Sequence, residues 1–76
     1  MSEDIMETIT IHTPTIHLDQ VMKLASWVSS GAEAKIAIRN GEVLLNGNVC
    51  TMRGKKIKEG DHIVWDDQEI VIRQEP

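Results

Sequence analysis

Five cationic side chains in the middle of this 76-residue chain have types and spacings suited to binding phosphate. Lys35 and Arg39 are four residues apart, and Arg53, Lys55 and Lys56 follow together in one short segment. Residues four apart lie on the same side of a helix, so the first pair predicts a basic helix face. The second group predicts a basic loop. Lysine and arginine donate charge-assisted hydrogen bonds to phosphate oxygens, so the pattern indicates a phosphate-binding surface.

The formal net charge is −4, but the charges are unevenly distributed along the chain. Residues 23–58 contain seven Lys or Arg side chains against two Glu, whereas residues 1–22 contain four acidic side chains and no Lys or Arg. Residues 59–76 contain six acidic side chains and one Arg. A cationic centre between anionic ends is typical of a focused patch that binds an anionic partner. A solvated face without any partner is the alternative interpretation of the same run.

A short capped helix is predicted to carry the first two cations. Ser30 and Glu33 have the spacing of a capping box, in which the Ser30 hydroxyl accepts from the Glu33 amide and the Glu33 carboxylate accepts from the Ser30 amide. Asn40-Gly41 tolerates the left-handed conformation that ends many helices, so the helix should stop there. The unpaired amides at its start, around Ser30 and Gly31, are a second feature suited to phosphate.

The remaining elements are predicted from periodicity and turn residues. A helix of about ten residues should begin near Leu18 and be joined to the next helix by a few residues around 28–30. Asn46-Gly47 favours a type I′ hairpin turn. The predicted strands are residues 5–12, 43–45, 49–51, 62–65 and 68–73. Together these elements predict an α+β fold, in which two short adjacent helices pack on a small, mainly antiparallel sheet.

Length and composition predict a single domain, residues 1–76, with its core motif at about residues 18–65 and frayed termini. No apolar run approaches the ~20 residues of a membrane-spanning helix, and Met1-Ser-Glu-Asp lacks the basic start of a signal peptide. Cys50 is the sole cysteine, so the chain cannot form an internal disulfide. These features predict a cytoplasmic protein without a membrane partner.

Three segments follow one another as they do in a known RNA-binding motif. They are Ser30-Gly-Ala-Glu-Ala-Lys35, Ile38-Arg-Asn-Gly-Glu-Val-Leu-Leu-Asn-Gly47 and Arg53-Gly-Lys-Lys-Ile-Lys-Glu-Gly-Asp61. In this order they resemble the RNA-binding domain first named for ribosomal small-subunit protein four, also called the alpha-L motif. The chain is most similar to the small stand-alone bacterial members, the YaaA/YbcJ-like group, over about residues 18–65.

The resemblance implies a non-catalytic module that binds structured RNA, with ribosomal RNA and transfer RNA as the candidate classes. The implied RNA-binding residues lie on the second helix, the hairpin turn and the basic loop: Ser30, Gly31, Lys35, Arg39, Asn46, Arg53, Lys55 and Lys56. Asn46 also has a purely structural explanation, because the turn itself favours it. Many members carry an arginine where Gly31 stands, so the phosphate contact expected there must be absent or made by the backbone.

A second resemblance leaves an alternative open. Residues 43–65 are also similar to small ubiquitin-like sulfur carriers of the β-grasp type. Those carriers need a C-terminal Gly-Gly, whereas this chain ends Arg73-Gln-Glu-Pro76. This difference argues against a carrier, and it leaves a β-grasp-like protein-interaction adaptor without nucleic-acid binding as the alternative function.

Catalysis is not indicated by any motif. The three histidines do not form a metal-ligand spacing with Cys50, and the chain has no Gly-x-Ser-x-Gly nucleophile motif. Gly54-Lys55-Lys56 lacks the earlier glycine and the following Ser or Thr of a phosphate-binding loop. We therefore expect no enzymatic activity, no metal, no cofactor and no small-molecule substrate.

The aromatic content bears on the kind of RNA. Trp27 and Trp65 are the two aromatic side chains, and both lie where packing accounts for them, at a helix junction and at a strand end. Proteins that bind single strands without sequence preference use exposed aromatic side chains to stack on bases. The sequence therefore favours shape-led recognition of folded RNA, with little direct contact to bases.

Overall fold

The computed structural model describes residues 6–75 and contains seven strands and two helices within that range. The strands are β1 (Met6–Ile11), β2 (Ile16–His17), β3 (Val43–Leu45), β4 (Asn48–Val49), β5 (Lys56–Ile57), β6 (His62–Trp65) and β7 (Gln68–Gln74). The helices are α1 (Leu18–Leu24) and α2 (Gly31–Arg39), which follow one another between β2 and β3.

Five of the strands form one sheet in the order β1-β7-β6-β3-β4. β1 runs parallel to β7, and every other neighbouring pair is antiparallel. β2 and β5 form a separate two-stranded antiparallel pair, in which Ile16 faces Ile57 and His17 faces Lys56. The predicted α+β fold is confirmed, with two adjacent helices and a mainly antiparallel sheet.

The core lies between the two helices and the sheet. Its fully buried side chains come from α1, α2, the sheet and β5, and they include Leu18, Val21, Met22, Ala34, Ile38, Val43, Ile57, Ile63 and Ile70. Ala34 and Ala37 are small, which lets α2 approach its neighbours closely. Burying a Leu or Ile side chain contributes about 1.5–3 kcal/mol. This core therefore fixes the relative positions of the elements that carry the exposed cationic side chains.

The first helix is shorter than predicted, with seven residues rather than about ten. It ends because Ser26 adopts a left-handed conformation, with φ of 62°. The Ser26 and Trp27 amides donate to the carbonyls of Lys23 and Met22 at 3.0 Å, which closes the helix end. Trp27 and Val28 therefore enter the core from the connection between the helices rather than from a further helical turn.

Of the two hydrogen bonds predicted for the capping box at the start of α2, one is present and the other has a different partner. The Ser30 hydroxyl accepts a hydrogen bond from the Glu33 amide at 3.3 Å. The Glu33 carboxylate, predicted to accept from the Ser30 amide, instead accepts from the Ser29 amide at 2.7 Å and the Ser29 hydroxyl at 2.8 Å. The Ser29 amide and hydroxyl together lower the pKa of Glu33.

The end of α2 requires a glycine. Gly41 has a φ of 76°, and its amide donates to the Ile38 carbonyl at 3.1 Å. The next amide, that of Glu42, donates to the Ala37 carbonyl at 3.2 Å, which completes the pattern of bonds that commonly follows a left-handed residue at a helix end. This turn directs the chain from α2 straight into β3.

Replacing Gly41 with alanine should lower the free energy of unfolding by about 1 kcal/mol, because an L-residue is strained at this φ. A β-carbon at Gly41 would lie 3.6 Å from Val49 Cγ1, an ordinary contact, so backbone strain is the expected cause. Gly31→Ala is the matched control: a β-carbon there would meet no atom within 4 Å, and alanine favours helix. Urea unfolding of both variants checks the prediction, and equal stability of the two would contradict it.

The two ends of the described chain meet in the sheet. β1 and β7 pair over six residues, and the Glu75 amide donates to the Ile11 carbonyl at 2.9 Å. Fraying of the termini stays a prediction, because residues 1–5 and 76 lie outside the described residues.

Candidate nucleic-acid interface

A groove of about 470 Å³ lies beside the β3–β4 hairpin. Its cationic wall is formed by Lys55, Lys56 and Lys58, and Asn46 and Asn48 lie at the hairpin turn. All five of these side chains belong to residues that are exposed to solvent. The structure thus brings three of the predicted site residues, Asn46, Lys55 and Lys56, to one concave surface.

Backbone hydrogen bonds hold the basic loop against α1. The Leu18 amide donates to the Lys55 carbonyl at 3.0 Å, and the Asp19 amide donates to the Arg53 carbonyl at 3.2 Å. The first amides of a helix lack partners within the helix, and here the loop carbonyls supply them. Lys56 is fixed as well, because it pairs with His17 between β5 and β2. The loop backbone is therefore positioned while its cationic side chains stay exposed.

The hairpin turn has the predicted conformation, since Asn46 and Gly47 have φ of 53° and 89°. The Asn46 side chain is already engaged at both of its polar atoms. Its Nδ2 donates to Asp61 Oδ1 at 3.1 Å, and its Oδ1 accepts from the His62 amide at 2.9 Å. Asn46 therefore fixes the turn to the start of β6, and one N–H and one lone pair remain for a ligand.

Asp61 is the buried anion behind the groove, with 6% of its surface exposed. Its Oδ2 accepts from the Lys58 amide at 3.0 Å, and its Oδ1 lies 3.5 Å from Lys58 Nζ. Burial raises the pKa of Asp61. The hydrogen bonds from the Lys58 amide and from Asn46, together with the Lys58 charge, lower this pKa by more than burial raises it, so the net pKa is below the ordinary value. Asp61 thus remains charged and holds Asn46 and Lys58 on the two sides of one groove.

The four predicted residues on α2 or at its start do not line this groove. Arg39 is exposed and Lys35 is half-buried, whereas the Ser30 hydroxyl is already bound to the Glu33 amide. Gly31 has open space around its β-carbon position, so packing does not exclude the arginine that the family resemblance leads us to expect there.

The C-terminal end of α2 nevertheless lies beside the hairpin. A β-carbon at Gly41 would touch Val49 of β4, so the helix that carries Lys35 and Arg39 ends next to the groove. Arg53, the remaining predicted residue, precedes Lys55 in the loop, and its side chain is exposed. The groove and α2 are therefore neighbouring parts of the molecule.

Several groove residues were not among the predicted site residues, and two of them, Asn48 and Lys58, carry side chains that can bind phosphate or a base. Lys58 belongs to the same basic run as Lys55 and Lys56, and that run is the signal that could have identified it. Asn48 follows Gly47 directly, and no residue pattern distinguishes it from an ordinary hairpin residue. Its position at the groove depends on how the hairpin folds beside the loop.

The two tryptophans pack against each other, a contact that the sequence did not predict. Trp27 is 9% exposed, and its ring centroid lies 5.9 Å from that of Trp65 at an interplanar angle of 46°. Trp65 is half-buried, and its Nε1 donates to Glu42 Oε1 at 3.0 Å. Neither ring lines the groove, so neither offers a platform there for a base.

Residues 6–75 contain no group of three or more His, Cys, Asp or Glu side chains arranged to hold a metal ion. Within the same residues, no helix has the length and apolar character needed to cross a membrane.

Comparison with known families decides which class of protein has this arrangement. The family model of the S4 domain matches residues 9–73. The chain belongs to the S4 domain family. This S4 domain is thus a member of an RNA-binding protein family, which favours that interpretation over a β-grasp-like adaptor. It is not a member of a known enzyme family.

Two curated relatives cover most of this S4 domain. YbcJ of Escherichia coli strain K12, whose name gives RNA binding as its expected role, is 42% identical over 59 residues, which are 78% of this chain and 84% of YbcJ. RlbA of Bacillus subtilis strain 168, whose name gives ribosome maturation as its expected role, is 42% identical over 53 residues. Those residues are 70% of this chain and 75% of RlbA.

The solution structure of Escherichia coli YbcJ has the same fold. It superposes with a TM-score of 0.65 at 33% identity, and the match covers 96% of this chain and 91% of YbcJ. That structure is described as revealing an alfaL motif involved in RNA binding. The resemblance predicted from the three sequence segments is therefore confirmed.

Proposed function

We propose that this S4 domain binds structured RNA through a surface made of the basic groove and the neighbouring α2 face. The observation that carries this proposal is the convergence of Lys55, Lys56 and Lys58 on one groove in a chain whose net charge is −4. Concentrated cations attract phosphates and release their counterions, even on a protein that is acidic overall. Lys35, Arg39 and Arg53 extend the surface, and the amides at Ser30 and Gly31 are available to one further phosphate.

Folded RNA fits this surface better than an extended single strand. The groove has lysines and a polar hairpin turn, whereas the two tryptophans pack on each other away from it. Such a surface contacts the backbone of a helix or a stem-loop junction and recognises mainly its shape. Ribosomal RNA is the class that the name of the Bacillus relative supports. Transfer RNA is the other class, and a cytoplasmic location agrees with both and with the lone cysteine.

Binding to a stem-loop RNA should weaken steeply with salt. For four or five phosphate contacts, the slope of log K against log salt should be about −4. Lys35→Glu combined with Arg39→Glu should make this slope less negative by about two, because each phosphate contact contributes roughly one. Fluorescence anisotropy at several salt concentrations measures both slopes.

The control RNA is an unstructured strand of equal length and charge. We expect weaker binding to it than to the stem-loop at every salt concentration. Equal affinity at low and high salt would contradict a phosphate-led mechanism. Preference for the unstructured strand, with quenching of the Trp27 or Trp65 fluorescence, would contradict shape-led recognition.

A further inference from the structure

The groove has an apolar part that phosphate binding does not explain. Val49 and Met52 are 58% and 64% exposed, and both line it. Between them in the chain lies Cys50, which is half-buried and also lines the groove. Lysines alone would serve a phosphate backbone, and an exposed valine and methionine add nothing to such contacts. Covering them with an apolar surface of a ligand would be favourable, since burial of apolar area drives association.

Groups that can form hydrogen bonds lie beside this apolar part. The only side-chain hydrogen bond that Asn48 makes within residues 6–75 is a long one, 3.5 Å from its Nδ2 to the Asn46 carbonyl. Its Oδ1 and its second N–H are therefore available, and the Thr51 side chain also lines the groove in an exposed position. Asparagine amides recognise the hydrogen-bonding edges of bases, adenine in particular.

Size and charge limit what the groove can hold. Its volume of about 470 Å³ lies within the range of roughly 300–1,000 Å³ that is usual for small-molecule sites. That volume suits one nucleotide. Lys55, Lys56 and Lys58 along one wall complement the charge of a phosphate. An apolar peptide side chain would cover Val49 and Met52 but would leave Lys55 and Lys56 without a partner, whereas Lys58 already lies 3.5 Å from Asp61 Oδ1.

We infer that the groove accommodates one unpaired nucleotide of a structured RNA. Its base lies on Val49 and Met52 within reach of the Asn48 amide, and its phosphate lies on the lysine wall. Bases that leave a helix are held between apolar side chains in other proteins, and a polarizable methionine sulfur makes favourable contacts with aromatic rings. Helix junctions and bulges supply such nucleotides. This inference rests on the proposed function, and it names an RNA with an extrahelical nucleotide as the ligand.

The test compares two hairpin RNAs of identical length and charge. One carries a single bulged adenosine in its stem, and the other carries an abasic nucleotide at the same place. We expect the bulged adenosine to increase affinity about tenfold, near the lower end of what a stacked base contributes on aromatic platforms. Val49→Thr combined with Met52→Gln should remove this preference and leave the affinity for the abasic hairpin unchanged. Both residues are exposed, and a thermal melt verifies that the variant folds.

The possible outcomes test the nucleotide site separately from the proposed RNA binding on which it rests. Equal affinity for the two hairpins, or a preference that persists in the double variant, would overturn the nucleotide site while leaving RNA binding intact. Failure to bind either hairpin would overturn the proposed function as well. A lower affinity of the double variant for both hairpins alike would assign Val49 and Met52 to general contact with the RNA and would also overturn the inference.

Discussion

Replacing both Lys55 and Lys56 with glutamate should lower the affinity for a stem-loop RNA by about 100-fold. Hydrogen bonds to charged groups contribute about 1.5–3 kcal/mol each, and the two lysines provide two of the three cations of the groove wall. Both residues are exposed, so the free energy of unfolding should change by about 0.5 kcal/mol or less. Fluorescence anisotropy at one salt concentration measures the affinity, and a thermal melt measures the stability.

The matched control changes the same number of charges elsewhere. Lys23→Glu combined with Arg73→Glu shifts the net charge from −4 to −8, as the groove variant does, because each reversal removes two charges. Lys23 lies on α1 and Arg73 on β7, both exposed and outside the groove. We expect its affinity to fall by less than about threefold, since these two side chains do not line the groove and salt screens the interactions of exposed charges. Equal losses in the two variants would show that overall charge, rather than the groove, determines binding.

The features that the sequence predicted best are those decided by neighbouring residues. Ser30 and Glu33 are three residues apart, and their pattern identified the start of α2. Gly41 identified its end, and Asn46-Gly47 identified the hairpin, because glycine and asparagine adopt positive φ with little strain. In each case the residues that determine the backbone conformation lie within a few residues of one another in the chain.

The features that the sequence did not predict depend on distant contacts. α1 ends at Leu24 although apolar residues continue at helical spacing to Val28. The left-handed conformation of Ser26 interrupts the helix, and Trp27 and Val28 pack into the core from the segment that joins the two helices. The role of Asp61 was also missed, since its carboxylate binds Asn46 fifteen residues earlier. Spacing along the chain carries no signal of such a contact. The apolar part of the groove likewise becomes evident only when the hairpin and the loop are brought together.

Replacing Asp61 with alanine should lower the free energy of unfolding by about 3 kcal/mol. The variant removes the charged acceptor of the Asn46 Nδ2 and of the Lys58 amide, and each hydrogen bond to a charged group contributes about 1.5–3 kcal/mol. For a domain of this size the melting temperature should then fall by more than about 10 °C. Asp67→Ala, which removes an exposed carboxylate from the turn between β6 and β7, is the control and should change stability by about 0.5 kcal/mol or less. Equal melting temperatures of the two variants would show that the hydrogen bonds of Asp61 contribute nothing to stability.

The pH dependence of stability distinguishes the contribution of the Asp61 charge from that of the hydrogen bonds that a neutral side chain of the same shape could also accept. The folded protein holds the pKa of Asp61 below its ordinary value, so its contribution to stability is complete above the unfolded pKa of about 4 and is lost as the pH falls through the lower folded value. The pKa of Glu33 is also lowered, so the carboxyl at position 33 contributes with the same sign. Asp61→Asn keeps an acceptor oxygen but cannot titrate. As the pH falls from 5 to below the folded pKa of Asp61, the free energy of unfolding of this variant should therefore decrease less than that of the wild type. Urea unfolding at a series of pH values measures both curves. Parallel curves would mean that Asp61 has the same pKa in the folded and unfolded chain, and that the groove is held together without its charge.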